Sequence, residues 1–420
     1  MARKVFLSFL GNTNYGKCTY HDNNGNEIKE VRFVQEATIQ LFCNDCDRYV
    51  FFLTEDAERK NWVDDGHKTR DGDVIRQSGL RTRIINLNLG GKVITVPNLP
   101  TGISESEIWK IFEIVYDQIE PKDQIIFDIT HALRSIPMLV LSLINYAKFL
   151  KNIKVSGIYY GVFEPSSNPV FPILNLNSFS ELQDWTSGAD AFINFGSSKK
   201  INSLLSGQHK LQKFNKSLSK VTGNFSTSRG GEIVSGKDFK EIQFLIQNIQ
   251  EKELPAPLFK ILLEEIKEKI EIFQYPQEST VNSVIQNLFN SVQWCIDHDL
   301  IQQGFTLMQE GIFTIVLLIL NKNYRDKTNR EIVSCCFKVY KLPKEDWRYP
   351  ANEHPDLVFE MINGTDLFKI LGDKKIIDTL TNLRNDLNHA GFNTDSCTSS
   401  KFATQLKSIF IEVKQIIELK

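Results

Sequence analysis

Two short stretches of the 420-residue chain concentrate side chains that could bind or transform a ligand. The first is Asp128-Ile-Thr-His-Ala-Leu-Arg134, which places a carboxylate, a hydroxyl, an imidazole and a guanidinium close together. The apolar run Ile125, Ile126, Phe127 and Ile129 has the β-branched content of a buried strand, and Met138 to Leu150 reads as a helix packed behind it. Thr130, His131 and Arg134 therefore belong to a strand-to-helix turn. Ligands of open α/β sheets bind outside the carboxyl ends of strands, where backbone N–H groups and helix N-termini attract anions. A cationic Arg134 beside a hydroxyl and an imidazole would suit a phosphate. The alternative is structural: Asp128 and Thr130 cap the turn and Arg134 pairs with a surface carboxylate. Asp128 and His131 also offer two metal ligands, too few without a nearby third.

The second stretch is Asp378-Thr-Leu-Thr-Asn-Leu-Arg-Asn-Asp-Leu-Asn-His-Ala-Gly391. Ile376, Leu380, Leu383 and Leu387 form one apolar stripe, so the segment reads as a helix that Gly391 ends. Arg384 and His389, five residues apart, diverge by about 140° around the axis. Asn385 and His389 share a face at i, i+4, so the amide could orient the imidazole. His389 lies near the helix C-terminus, where the dipole favours the imidazolium and hence proton donation.

The elements that must position these groups follow from periodicity. Lys4 to Leu10 reads as a first buried strand, and Gly11-Asn12-Thr13-Asn14-Tyr15 after it is a second candidate phosphate cradle. Asn24-Gly25 predicts a hairpin between Cys18 to His21 and Glu27 to Phe33, followed by a helix around Gln35 to Phe42 and a strand at Arg48 to Leu53. Asn61 to Gly79, charged and aperiodic, reads as a mobile surface segment, and Arg83 to Leu89 and Lys92 to Val96 as strands or an excursion. Ser104-Glu-Ser-Glu107 is a capping box that opens a helix, and Lys154 to Val162 is a further strand. This alternation predicts a Rossmann-like parallel sheet over residues 1–185.

Beyond Leu182 the apolar residues recur at helical spacing. Between Ala191 and Gly231 there is no Asp or Glu, while Lys199, Lys200, Lys210, Lys213, Lys216, Lys220 and Arg229 supply seven positive charges. Such a segment could touch RNA phosphates, but its Ser and Gly content favours a flexible connector over residues 186–237. Helices near Asp238 to Ile249, Pro257 to Phe273, Val281 to Asp297 and Ile301 to Asn321 predict an all-α bundle over residues 238–420.

Composition narrows the function classes. A formal net charge of −2 gives no global sign of nucleic-acid affinity, so any such surface is local. Seven cysteines without regular spacing point to a reducing, cytoplasmic compartment. The apolar runs Val5 to Leu10 and Gly311 to Leu320 are too short for a signal or a membrane span. Neither ligand loop is a GxGxxG or P-loop, so an ordinary dinucleotide or nucleotide triphosphate site lacks motif support. Cys43-Asn-Asp-Cys46 is a lone CxxC, read as two small thiols rather than a zinc or redox site.

Four segments in order carry a family resemblance: Val5 to Tyr15, Phe33-Val-Gln-Glu-Ala37, Asp128 to Pro137 and Gly157-Ile-Tyr-Tyr-Gly-Val-Phe163. They resemble the CARF domain of ancillary proteins in type III CRISPR systems. Ala132 stands where that family usually has glycine, and its methyl narrows the ligand's approach. The resemblance implies a sensor of cyclic oligoadenylate bound across a homodimer, whose isologous interface offers each loop twice to a twofold ring. It assigns ligand contacts to Gly11, Asn12, Thr13, Asn14, Thr130, His131, Ala132 and Arg134.

Arg384 with a following polar residue and His389 resembles the motif of HEPN ribonucleases, the usual partner of CARF in these systems. Arg348 and His354 also satisfy the spacing, but Pro350 and Pro355 place them in a loop. The implied activity is metal-independent endoribonuclease cleavage of single-stranded RNA, with no cofactor beyond cyclic oligoadenylate as allosteric activator. Attack of the RNA 2'-hydroxyl on the adjacent phosphate needs proton transfer, suited to His389, and charge stabilisation, suited to Arg384, with Asn385 positioning. A dimer or higher oligomer would bring two such helices into one cleft. Three rivals stay open: a CARF sensor whose inactive HEPN bundle regulates a partner, a sensor that also cleaves its ring activator, and a HEPN toxin with an unrelated trigger.

Overall fold

The computed structural model describes residues 2–43, 45–131, 136–163, 170–255, 259–273, 281–392 and 396–419. The chain divides into two compact units, Met1–Asp184 and Trp185–Lys420.

The first unit is built on β1 Lys4–Phe9, β2 Cys18–His21, β3 Glu27–Val31, α1 Val34–Phe42, β4 Arg48–Phe52, α2 Leu80–Ile85 and β5 Val93–Val96. It continues through α3 Glu105–Asp117, β6 Gln124–Asp128, α4 Ile136–Lys151, β7 Lys154–Gly161 and β8 Val170–Asn175. The eight strands lie in the order β3-β2-β8-β7-β6-β1-β4-β5. β1 is central, parallel to both β4 and β6, and Ser8 sits in register with Asp128. Its side chains alternate between two cores. Phe6 packs with Ala37 and Ile39 of α1, while Val5, Leu7 and Phe9 pack with Ile111 and Val115 of α3 and Val140 and Ile144 of α4. This is the period-2 pattern of a strand buried on both faces.

Three local expectations are corrected. The sheet is mixed: β8 returns antiparallel to β7, only eight residues of chain lying between Gly161 and Val170, fewer than a parallel crossover needs. Leu80–Ile85 is a helix, not a strand, and from it Arg83 Nε donates to Glu36 Oε2 at 2.5 Å. Residues 61–79 are not a loose surface segment. Glu55 to Trp62 forms a helical turn, His67–Lys68 pairs with Val74–Ile75, and Asn61 is fully buried.

The helix α5 Asn177–Phe195 leads into the second unit, which comprises α6 Lys199–Leu204, α7 Gln212–Ser226, α8 Gly230–Ser235, α9 Lys237–Asn248, α10 Phe259–Glu271 and α11 Val281–Asp297. It ends with α12 Ile301–Ile319, α13 Lys327–Val339, α14 Pro355–Gly364, α15 Leu367–Asp373, α16 Ile376–Asn388 and α17 Ser399–Glu418. The flexible connector over 186–237 is overturned. Phe192, Ile201, Phe214, Leu218, Val221, Phe225 and Ile233 are buried in the same core as α11 and α12, so apolar spacing outweighs Ser and Gly content. Among the described residues no helix is long and apolar enough to cross a membrane.

Buried His298 marks this core's response to acid. Its Nδ1–H donates to Trp294 O at 2.7 Å and its Nε2 faces Lys269 Nζ at 3.5 Å, an arrangement that requires the neutral ring. Burial is the main cause that lowers its pKa.

Candidate functional site

The polar cavity of the first unit lies at the carboxyl ends of β1, β4, β6 and β7 and has a volume of about 1200 Å³. Its floor is a chain of hydrogen bonds. Asp128, fully buried, accepts from Ser8 Oγ at 2.7 Å, Thr130 Oγ1 at 2.6 Å and Thr130 N at 3.1 Å. Thr130 Oγ1 in turn accepts from Gly161 N at 2.8 Å, and Gln35 Nε2 donates to Ser8 Oγ at 3.2 Å. Burial raises the pKa of Asp128, opposed by these donors. The Thr130 hydroxyl proton is therefore committed to Asp128, and the side chain serves the floor first.

The rim is the Gly11 to Tyr15 loop. Tyr15 stacks on His131 with ring centroids 4.3 Å apart and meets Phe33 edge-on. Both rings press against Gly11: a Cβ there would collide with the Tyr15 hydroxyl and lie 3.3 Å from His131 Cβ. Replacing Gly11 by Ala is expected to break the stack and weaken ligand binding about tenfold, with the fold kept; titration against intact circular dichroism checks it. Burial lowers the His131 pKa from 6.5 to about 4, so near neutrality its ring offers a neutral hydrogen-bonding group, not a counter-charge.

The sign of that shift sets a pH dependence. Unfolding frees His131 to bind a proton with its ordinary pKa, so its contribution to stability is complete above pH 6.5 and is lost as pH falls toward 4. His131→Gln is expected to flatten the acid limb of the stability curve over that window. Denaturant melts at closely spaced pH values read this directly, and parallel limbs in the two proteins would remove the assignment.

Two buried residues hold the loop. Asn61 Nδ2 donates to Gly11 O and Thr13 O, both at 2.8 Å. Its Oδ1 receives Arg32 Nη2 at 3.2 Å and lies 2.9 Å from His67 Nε2. Arg32 also donates to Tyr15 O at 3.1 Å, Ser78 O at 2.7 Å and Asn14 Oδ1 at 3.4 Å. Asn12, Thr13 and Asn14 are exposed along the cavity, and Glu55, Arg59, Tyr160 and Phe163 also line it. Sequence reasoning missed Arg32 and Asn61, whose partners lie far away in the chain. Ala132 and Arg134 lie outside the described residues.

In the second unit Arg384 and Asn385 lie on α16, and His389 is its C-cap. Asn385 and His389 are linked through the backbone, His389 N donating to Asn385 O at 2.8 Å, and both side chains are exposed. Arg384 is half-buried. Its Nη1 donates to Gln309 Oε1 at 3.0 Å and lies 3.6 Å from Glu310 Oε1, while its Nε is buried without a hydrogen-bond partner among the described residues. The other oxygen of Glu310 accepts from Arg330 at 2.5 Å. One carboxylate on α12 thus serves two guanidinium groups. Arg348 and His354 lie in exposed turns, His354 as the N-cap of α14.

Cys43 and Cys46 are both buried. Among the described residues no group of three or more His, Cys, Asp and Glu side chains is close enough to hold a metal ion.

A doubly wound sheet with its polar cavity at the strand carboxyl ends defines a Rossmann-like ligand-binding domain. Residues 5–164 match the family model described as the CARF domain of the CRISPR system endoribonuclease Csx1. Residues 181–278 match the second domain of the CRISPR-associated protein MJ1674. The first unit is thus similar to a CARF domain, and both matched segments are similar to domains of CRISPR-system proteins. MJ1674 of Methanocaldococcus jannaschii is 24% identical over 216 residues, 50% of this chain and 32% of that protein, so the match spans about a third of its length. A solved structure of Enterococcus italicus Csm6 bound to cyclic hexa-2'-fluoro-hexa-dAMP aligns over 98% of this chain and 94% of its own, at 12% identity and a TM-score of 0.32. At that score it carries no argument.

Proposed function

We propose that the protein senses cyclic oligoadenylate in the CARF cavity of a homodimer and, once bound, cuts single-stranded RNA without needing a metal ion. The observation that carries this reading is the match of residues 5–164 to the CARF domain of an endoribonuclease, over the part of the chain that holds the 1200 Å³ cavity. The exposed Met138 and Phe149, one stripe of α4, supply apolar surface for self-association.

For cleavage, the RNA 2'-hydroxyl loses its proton and attacks the adjacent phosphate, forming a 2',3'-cyclic phosphate as the P–O5' bond breaks and the 5'-oxygen takes up a proton and leaves as a hydroxyl. His389 transfers a proton, Arg384 stabilises the negative charge that develops on the phosphorane oxygens, and Asn385 positions the reacting group. Paired α16 helices supply these residues from two sides. The activator shifts the pair toward the competent arrangement by no more than its differential affinity for the two states.

The test is cleavage of a fluorescent single-stranded RNA in EDTA, alone and with cyclic tri-, tetra- and hexa-adenylate. Cleavage switched on by one ring supports the proposal. The engagement of Arg384 by Gln309 and Glu310 favours a second reading, a CARF module that regulates a partner without cutting. Ring binding with silent RNA in every lane would favour that module, and linear products from the ring itself would add a self-limiting activity.

A further inference from the structure

We infer that the outer face of α7 is a track for the phosphate backbone of single-stranded RNA, leading the strand to His389. The inference rests on the nuclease reading for its destination. Its evidence is separate.

Residues 191–231 contain no carboxylate, and their folding sorts the side chains. Phe214, Leu218, Val221 and Phe225 take the inner face of α7. Lys213, Lys216 and Lys220 are left on the outer face, all exposed, at i, i+3 and i+7, within about 60° of arc. Among the described residues no ion pair is recorded for Lys213 or Lys216. Lys220 is paired with Asp238 at 2.7 Å, with Glu232 and Glu241 nearby, so the first two lysines carry the free charge. Arg229, also exposed, follows three residues beyond the end of α7 at Ser226.

The track has a direction. Gln303 Nε2 on α12 donates to Ser226 O at 3.2 Å, and its neighbour Gln302 donates from Nε2 to Asn388 Oδ1 at 3.3 Å. Two adjacent glutamines therefore tie the C-terminal end of α7 to the residue before His389. Lys213 and Lys216 are separated by about 4.5 Å along the helix axis and Lys216 and Lys220 by about 6 Å. An extended polyanion can meet such a row in succession. A compact anion reaches only one end of it, because Lys213 stands about 20 Å along the axis from Ser226 and Arg229 lies beyond, which makes a nucleic-acid strand the fitting partner and RNA the one the adjacent site requires. Contacts of this kind bind without reading sequence.

The experiment measures binding apart from cutting. Full-length His389→Ala protein is titrated into a labelled 20-nucleotide RNA by fluorescence anisotropy at several salt concentrations, with and without Lys213→Gln/Lys216→Gln. The double substitution is expected to weaken binding about tenfold at low salt and to lower the slope of log K against log salt by about 1.4. Lys122→Gln/Lys154→Gln removes the same charge from the first unit and is expected to change neither. Equal affinity and slope in the α7 variant and its parent, or no RNA binding by the parent, would overturn the track. Binding with the expected slope by a wild type that stays inert toward RNA with every ring would sink the nuclease reading and leave the track standing.

Discussion

His389→Ala and Arg384→Ala are each expected to lower RNA cleavage by about a hundredfold or more while cyclic oligoadenylate binds as in the wild type. The expectation rests on where the two residues sit. His389 is an exposed C-cap whose side chain supports no packing, so its removal acts on chemistry and leaves the bundle intact. Removing Arg384 leaves Glu310 paired with Arg330 at 2.5 Å and Gln309 Nε2 bonded to Thr381 at 3.1 Å, but it takes from the buried Gln309 Oε1 the donor that Arg384 Nη1 supplies, so a modest loss of stability is expected with it. Loss of activity in His389→Ala therefore cannot be laid to unfolding, and matched thermal melts separate stability from chemistry in Arg384→Ala. Initial rates at saturating activator measure the effect. Full activity in His389→Ala would falsify its role as the proton-transfer group.

Asn61→Ala produces the second large effect, in the sensor. One amide, on a fully buried residue, satisfies the carbonyls of Gly11 and Thr13 and accepts from Arg32, so truncation removes the three bonds that fix the loop from beneath. Each such bond contributes about 0.5–1.5 kcal/mol. The expected outcome is a lower melting temperature for the first unit and activator affinity weakened about a hundredfold, because the loop no longer holds its shape before binding. Asn61→Asp keeps the volume and loses the two donated bonds, so it should bind almost as poorly. Near-normal binding in both variants would show that the ligand does not depend on the loop's preformed shape.

Much of the architecture was legible because it depends on local pattern. The strand at 124–128, the capped helix from Glu105 and the helices through 238–319 follow from spacing that neighbouring residues enforce. The errors arose where distant partners decide. Residues 186–237 look soft in composition, yet Phe214 and Phe225 find a core supplied by α10 and α11. Residues 61–79 have no apolar period, yet Asn61 and Trp62 are pinned beneath the glycine loop and against Phe51. Within the sites, Gly11, His131, Arg384 and His389 stand out by residue type and motif. Arg32, Asn61, Gln309 and Glu310 do not, since each acquires its role from a contact more than a dozen residues away in the chain.

The hydrogen-bonded floor of the CARF cavity has a mechanical consequence. Gln35, Ser8, Asp128, Thr130 and Gly161 join α1 to three adjacent strands through donors already committed to one another. A ligand arriving above them meets a base plate that yields little. Any adjustment to a ligand then falls to the rim, where the Tyr15–His131 stack and the segment anchored by Asn61 meet at Gly11.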